Sequence, residues 1–312
     1  MSKTNWTTAN IPSQTGRTII VTGANTGIGY ETALALAKKG AKVVMACRSQ
    51  AKGEEAVRMI EDSELSGSVE LRLLDLSSLD SVRTFAGFFH DASDRLDLLI
   101  NNAGVMMPPF GTTSEGFELQ IGVNYIGHFA LTGLLFDKLA TTPNSRIVTL
   151  GSLAHRNGKI DFDTFRGKDL RDGADYKPTI AYLQSKLADL MFAIELQRRL
   201  GDAGSGTISV AAHPGFTATD LQRHSGLWNR LIGFWSNDPP QGALPTLYAA
   251  TSPDAEPGGY YGPDGFYEAR GYPAPSKVMA HAREKQVAKR LWSYAEEATG
   301  VRFLSALAAE PA

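Results

Sequence analysis

The chain has 312 residues, 43% hydrophobic and 21% charged, with a formal net charge of −2. That balance leaves no basic footprint for nucleic acid, and a single cysteine, Cys47, excludes an internal disulfide and a Cys-rich zinc site. The length suits one large core, and the cysteine usage fits a reduced, cytoplasmic setting.

Residues 1–15 read as a polar N-terminal extension without the apolar heart of a signal peptide. A buried-type strand is expected at 18–21, then a helix over 27–39, a strand at 42–46 and a helix over 51–63. Strands at 69–74 and 96–100 flank a helix over 79–90. A helix over 117–139 leads to a strand at 146–150. Pro178 opens a helix running to about residue 200, with Gly201 beyond its end. A strand at 208–212, a short seventh at 259–262 and a helix over 278–298 complete the series. Continuous apolar strands separated by helices predict a single α/β domain, a doubly wound parallel sheet of about seven strands with helices on both faces. Its ligands would gather at the carboxyl ends of the strands. Residues 16–300 are assigned to this domain and 301–312 to a C-terminal tail.

No stretch carries the ~18 apolar residues of a membrane span. The most amphiphilic region is 221–250, with Leu227, Trp228, Leu231, Ile232, Phe234 and Trp235. It reads as a packed helix, a flap over an apolar substrate (a lid at 219–240), or a membrane contact.

The turn after the first strand reads Thr22-Gly-Ala-Asn-Thr-Gly-Ile-Gly29. Gly23, Gly27 and Gly29 let the backbone turn sharply and approach phosphate. The helix start then offers free N–H groups and a positive dipole end. The spacing is G-x-x-x-G-x-G, with Asn25, Thr26 and Ile28 between the glycines. The second strand ends without the carboxylate that marks NAD. Arg48 and Ser49 stand there instead and suit a 2′-phosphate, which favours NADP; a solvated charge leading the next helix is the plain alternative for Arg48. Asp75, followed by Leu76, could bind an adenine amino group or cap a helix.

Tyr182 and Lys186 are four apart on a helix and share a face. An ammonium there stabilises a phenolate, so the tyrosine can exchange a proton with a substrate oxygen. Ser152, after the fifth strand, could hold that oxygen or merely cap a turn. Asn124 is an amide inside an apolar helix, where asparagine is a poor fit; it either orders a relay water or is a satisfied core amide.

Taken together, Thr22-Gly-x-x-x-Gly-x-Gly29, Asn101-Asn-Ala-Gly104, Asn124, Ser152, Tyr182-x-x-x-Lys186 and His213-Pro-Gly-x-x-x-Thr219 resemble the short-chain dehydrogenase/reductase pattern over about residues 16–300. The finer resemblance is to the retinol dehydrogenase-like branch, which includes the WW-domain oxidoreductases. It rests on Ala46-Cys-Arg-Ser49, Gly122-Val-Asn-Tyr-Ile-Gly-His-Phe129, Ser152-Leu-Ala-His155, Arg290-Leu-Trp292 and the long span from Ser152 to Tyr182. The resemblance implies a Rossmann-type NADP-binding domain with Tyr182 as general acid/base. Lys186 would stabilise its phenolate and bind the ribose, Ser152 would orient the carbonyl and Asn124 would order the relay water. Asn101, Asn102, Ala103 and Gly104 would support the sheet and the adenosine side. Pro214, Gly215, Thr217 and Thr219 would shape the nicotinamide and pyrophosphate end. Relatives pair through the helices holding Asn124 and Tyr182, so a homodimer is one arrangement it implies. Gly151 departs from the pattern, standing where a second serine is common. The membrane anchor of animal retinol dehydrogenases and any WW module are not seen.

An insert at 153–177 carries Asp161, Asp163, Asp169, Asp172 and Asp175 without calcium-loop spacing, and reads as a solvated loop framing the substrate mouth. His213 reads as structural, and no metal site is expected. The apolar surroundings argue for a bulky, hydrophobic carbonyl or alcohol substrate. The reading is therefore an NADP-dependent oxidoreductase working as a carbonyl reductase. A carbon–carbon double-bond reductase of protochlorophyllide reductase type, or a non-catalytic NADPH-responsive binding protein, are the alternatives.

Overall fold

A computed structural model describes residues 5–216 and 237–304. Among them, eight strands form one sheet in the order β3-β2-β1-β4-β5-β6-β7-β8. The strands are β1 (Thr18–Thr22), β2 (Lys42–Cys47), β3 (Ser68–Leu73), β4 (Leu98–Asn101), β5 (Arg146–Leu150), β6 (Ile208–Ala212), β7 (Tyr260–Pro263) and β8 (Pro273–Pro275). The first seven pair in parallel; β8 returns antiparallel against β7. The expected seven strands are thus joined by an eighth, whose two prolines argue against a strand anywhere but at an edge, where it lies. β1 and β4 are neighbours, and the chain leaves β1 toward β2 and β3 before crossing back to β4. The strand order reverses there, which opens a crevice above their carboxyl ends.

Each sheet face has its own core. On one, α1 (Gly27–Lys38), α2 (Gln50–Glu61) and α8 (Pro239–Thr251) pack Leu36, Ile60 and Leu247 on Ile19, Val43 and Leu98. On the other, α3 (Leu79–Ala92), α7 (Pro178–Asp202) and α9 (Lys285–Thr299) pack Phe85, Leu190 and Trp292 on Ile20, Leu99 and Ile147. Alternation along each strand sends its apolar residues to both cores, so the strands read as unbroken hydrophobic runs.

Three differences from expectation matter. The single helix foreseen over 117–139 is broken. It consists of α4 (Leu119–Ile121), a π-helical segment (Gly122–Gly127), α5 (His128–Leu134) and α6 (Phe136–Thr141). A π turn takes one more residue than an α turn, which a 3.6-residue periodicity cannot register. The terminal helix starts at Lys285, after a 3-10 turn at Ala280–Arg283. Both ends of the domain also reach further than their assigned bounds. Ile11 is buried, and Trp6 meets Tyr248 edge-on at 5.4 Å. Val301, Phe303 and Leu304 join the core, with Phe303 4.8 Å from the Trp292 ring.

Candidate active site

The strand ends and the loops after them enclose a cleft of about 1170 Å³. One end is built by the turn from β1 into α1. Gly23 and Gly27 have φ of +66° and +56°, a region open to glycine and strained for other residues. A Cβ on Gly29 would lie 2.4 Å from the Gly23 carbonyl oxygen and 2.4 Å from Asn102 Nδ2. Thr26, at the start of α1, makes no side-chain cap, so the first-turn N–H groups face the cleft uncapped. Asn25, Ile28, Arg48, Ser49, Asp75 and Leu76 line the same end. Arg48 is exposed and Ser49 caps α2. Asp75 is not the helix cap: its carboxylate accepts from the Ser77 N–H at 2.9 Å, and Ser78 caps α3.

The other end is built by β4, β5 and α7. Tyr182, Lys186 and Ser152 line it together with Asn102, Ala103, Gly104, Pro214 and Gly215. The Ser152 hydroxyl accepts from the Ala154 N–H at 3.1 Å, so capping a turn and facing the cleft are compatible roles. Thr217 and Thr219, and the lid assigned to 219–240 up to residue 236, lie outside the described residues. The last residues of the amphiphilic region, from 239 on, form α8 and pack on α1.

Asn124 lies behind the cleft wall. Its Oδ1 accepts from the Val105 N–H at 2.8 Å, and its Nδ2 donates to the Val105 carbonyl at 3.0 Å and to Ser185 Oγ at 2.9 Å. The amide thus ties the loop after β4 to α7. The π segment is what turns it there.

Sequence reasoning missed the group beneath this tie. His128 is fully buried; its Nδ1–H donates to the Asn124 carbonyl at 2.8 Å, and its Nε2 accepts from the Thr22 hydroxyl at 2.9 Å. Thr22 Oγ1 in turn accepts from the N–H groups of Asn102 and Ala103, each at 2.9 Å. The glycine turn, the loop after β4 and the π segment are therefore one hydrogen-bonded unit. A histidine inside an apolar run was the available signal. Burial pushes His128 from its ordinary 6.5 down to about 4. The folded protein keeps it neutral while the unfolded chain takes a proton, so stability falls as pH drops from about 6.5 toward about 4. Between pH 7 and pH 5 this group accounts for about 2 kcal/mol. Urea denaturation of His128→Gln at both pH values is expected to give a fall smaller than that of wild type by this amount. An equal fall would clear His128 of the effect. His155 and His213 are also lowered by burial and act in the same direction in both proteins.

The Tyr182 end of the cleft is mostly apolar: Val105, Met106, Met107, Leu153, Phe216 and Tyr267 line it. Gln120 holds this wall, accepting from the Met107 N–H at 2.8 Å while donating to Tyr176 and Pro178. Among the described residues of the 153–177 insert, Leu153, Ala154, Arg156 and Asn157 reach the cleft. Farther along, Phe165 is buried 5.1 Å from the Tyr294 ring of α9, while Asp161, Asp163, Asp169 and Asp175 are exposed. The acidic stretch is thus solvated, as expected, while Phe165 anchors it to the domain. Its aspartates serve locally: Asp161 caps a turn and Asp175 pairs with Arg171.

Tyr267 and Glu268 adopt left-handed φ values of 51° and 57°, strained for both residues. Glu268 holds the conformation by accepting from His213 Nε2 at 3.0 Å and from Arg156 at 2.8 Å, and by bonding Ser276. Burial opposes its ionisation, but those donors hold its carboxyl down at about 2. His213 is fully occupied, since its Nδ1 also accepts from the Gly215 N–H. Cys47 is buried beside the glycine turn, and burial pushes its thiol up to about 11.

The sequence profile of the short chain dehydrogenase family matches residues 17–165. The chain is 43% identical over 303 residues to human retinol dehydrogenase 13, covering 94% of this chain and 86% of that protein. It is 41% identical to human retinol dehydrogenase 11, with 92% and 86% covered. A solved structure of an uncharacterised protein from Mycobacterium paratuberculosis superposes with a TM-score of 0.79 at 41% identity, covering 96% of this chain and 99% of that one. Another, from Beutenbergia cavernae, is described as an NAD(P)-dependent gluconate 5-dehydrogenase with bound NADP. Its TM-score is 0.59 at 25% identity, with 78% and 92% covered.

Proposed function

Because the chain belongs to the short chain dehydrogenase family, in its retinol dehydrogenase-like branch, we propose that it is an NADP-dependent reductase of bulky, hydrophobic aldehydes or ketones. The family membership carries the coarser statement, a nicotinamide-dependent alcohol/carbonyl oxidoreductase. The observation that carries the finer one is a single cleft with an exposed arginine at its phosphate end and a tyrosine–lysine pair facing an apolar wall at the other.

The residues present fit a dinucleotide. The glycine turn closes so tightly that a Cβ on Gly29 would meet the Gly23 carbonyl oxygen and Asn102 Nδ2, both at 2.4 Å, and a Cβ on Gly104 would lie 3.2 Å from Asn124 Oδ1, while the start of α1 is left without a side-chain cap. Gly23, Asn25, Thr26, Gly27, Ile28 and Gly29 would hold the pyrophosphate. Arg48 and Ser49 would hold a 2′-phosphate, Asp75 and Leu76 the adenine, and Asn102, Ala103, Gly104, Pro214 and Gly215 the remainder. When bound, the nicotinamide supplies or accepts the hydride.

Ser152 lends its hydroxyl hydrogen to the substrate oxygen, and Tyr182 delivers the proton to that oxygen during reduction. Lys186 keeps a positive charge beside Tyr182. Burial works against that charge, but the Asp189 carboxylate and Tyr182 more than offset it and leave Lys186 above its ordinary value. Asn124 fixes α7 against the loop after β4, which keeps Tyr182 and the cofactor wall in register.

The double-bond reductase reading wants a further proton donor near the substrate. Cys47 is too basic and sits at the phosphate end, which favours carbonyl reduction. Turnover of NADPH with a panel of bulky apolar aldehydes and ketones, with the product identified as an alcohol, tests the assignment. A saturated C–C product would replace it with the alternative.

Cofactor choice has its own test. Arg48→Asp is expected to weaken NADPH binding about 10²-fold, because one charge-assisted phosphate contact is lost and a repulsive carboxylate replaces it. NADH binding should change little. Equal losses for both, read by fluorescence titration, would remove the assigned role of Arg48.

A further inference from the structure

One buried ionisable group beside Tyr182 and Lys186 has no part in the steps above. Asp189 lies one turn beyond Lys186 on α7, 2% exposed, and its Oδ2 accepts from the Lys186 ammonium at 2.8 Å. The ammonium also donates to the Leu150 carbonyl at the end of β5, at 3.0 Å. With two of its three hydrogens so committed, the cation also faces Gly104, where a Cβ would stand 3.7 Å from Nζ. That is the cofactor side of the cleft.

We propose that Asp189 is a positioning residue: its carboxylate pins the Lys186 ammonium against Leu150 and so aims the cation at Tyr182 and at the sugar of the bound dinucleotide. The inference rests on the proposed function above for what Lys186 touches. A lysine on its own is a point charge on a flexible four-carbon stem. Two fixed acceptors on different elements, one on α7 and one on β5, turn it into a directed donor. A buried ion pair is a weak source of stability, because desolvation offsets most of its attraction. Its placement at the cleft wall therefore points to orientation more than to holding the fold.

The surroundings leave Asp189 few other charges. From its own helix it meets Lys186, on which Tyr182 also acts. The π segment presents the buried phenol of Tyr125, which feels Asp189 first and then Arg199, Glu296 and Glu195. His128, just after that segment, feels Lys186. The sheet face under α7 presents the uncharged pair Asn101 and Thr149, in register on β4 and β5. Asp189 Oδ1, Asn101 Oδ1 and Thr149 Oγ1 are each buried without a protein partner. Burial pushes the Asp189 carboxyl up to about 6, against the pull of Lys186. The carboxylate thus gains a proton as pH falls from 8 to 5, and its grip on the ammonium slackens over that range.

The test compares NADPH affinity of wild type and Asp189→Asn by fluorescence titration from pH 5 to pH 8. Asparagine keeps the shape and an acceptor but not the charge. At pH 8 the variant is expected to bind about tenfold more weakly, the cost of a misaimed contact. The wild-type-to-variant ratio should then fall toward about 1 at pH 5, following protonation of Asp189. Taking the ratio cancels any titration of the cofactor's own phosphates. Asp189→Leu should bind weakly throughout. A ratio independent of pH, a D189N variant that binds as tightly as wild type at pH 8, or a folded D189L variant with unchanged affinity would each overturn the proposal. Because affinity is read without turnover, failure to reduce any carbonyl would count against the proposed function and leave this test standing.

Discussion

Tyr182→Phe is expected to lower kcat with NADPH by about 10³-fold while leaving NADPH affinity within a few-fold of wild type. Positioned acid–base groups contribute roughly 10²–10⁴ in rate, and among the described residues neither Cys47 nor His213 is placed to take over. Cys47 is buried outside the cleft lining with its thiol pushed up to about 11, and His213 is committed to Glu268, Ser276 and Gly215. The substitution keeps the ring on α7 and removes one hydroxyl. Lys186 keeps both of its partners, neither of which is that hydroxyl. Steady-state rates on a carbonyl that wild type reduces, beside a fluorescence titration and a melting curve, separate the outcomes. A variant with unimpaired kcat would mean that another group moves the proton, and a regulator that merely binds NADPH would tolerate the change. A variant that loses affinity in parallel would mean that the hydroxyl holds the cofactor rather than the proton.

Gly29→Ala is the second substitution with a large expected effect, a fall in NADPH affinity of at least about 10²-fold. The added methyl meets the Gly23 carbonyl oxygen and Asn102 Nδ2, both at 2.4 Å. Neither neighbour can step aside. Gly23 already has φ of +66° and its N–H donates to the Ala46 carbonyl at 2.8 Å. Asn102 Nδ2 donates to the Thr22 carbonyl at 2.7 Å. The turn must therefore open, and overpacking of this kind costs about 1–3 kcal/mol of stability as well. Gly87→Ala is the control, because a Cβ there meets nothing within 4 Å and the site is an exposed helix. It should raise stability by up to about 1 kcal/mol through helix propensity. Retained NADPH affinity in Gly29→Ala would show that the turn carries no phosphate.

Most of the sheet was legible because its strands are buried on both sides, and unbroken apolar runs such as Ile19-Ile20-Val21 need no partner to be recognised. The glycine turn and the Tyr182–Lys186 spacing were legible because each lies within a few residues of chain. What escaped was non-local. Tyr267 and Phe216 reach the cleft from distant loops, and nothing near them in sequence marks that destination. The insert's solvated charges were legible, but its anchor was not, because Phe162 and Phe165 are outnumbered by those charges and meet Tyr294 from far along the chain. Asp189 carried a visible mark, since it lies three residues after Lys186, but only burial distinguishes such a pair from an ordinary surface contact. β8 was hidden by its prolines, which an edge position tolerates.

The π segment narrows how this stretch of chain can change over descent. An α-helix advances about 100° per residue, so deleting one residue from Gly122–Gly127 would heal the helix and swing one end of it around its axis. Asn124 must meet Val105 while His128, four residues on, meets Thr22. Either contact survives such a deletion only at the expense of the other. Length variation, which an exposed loop absorbs readily, is closed to these six positions, and substitution is the route left to them.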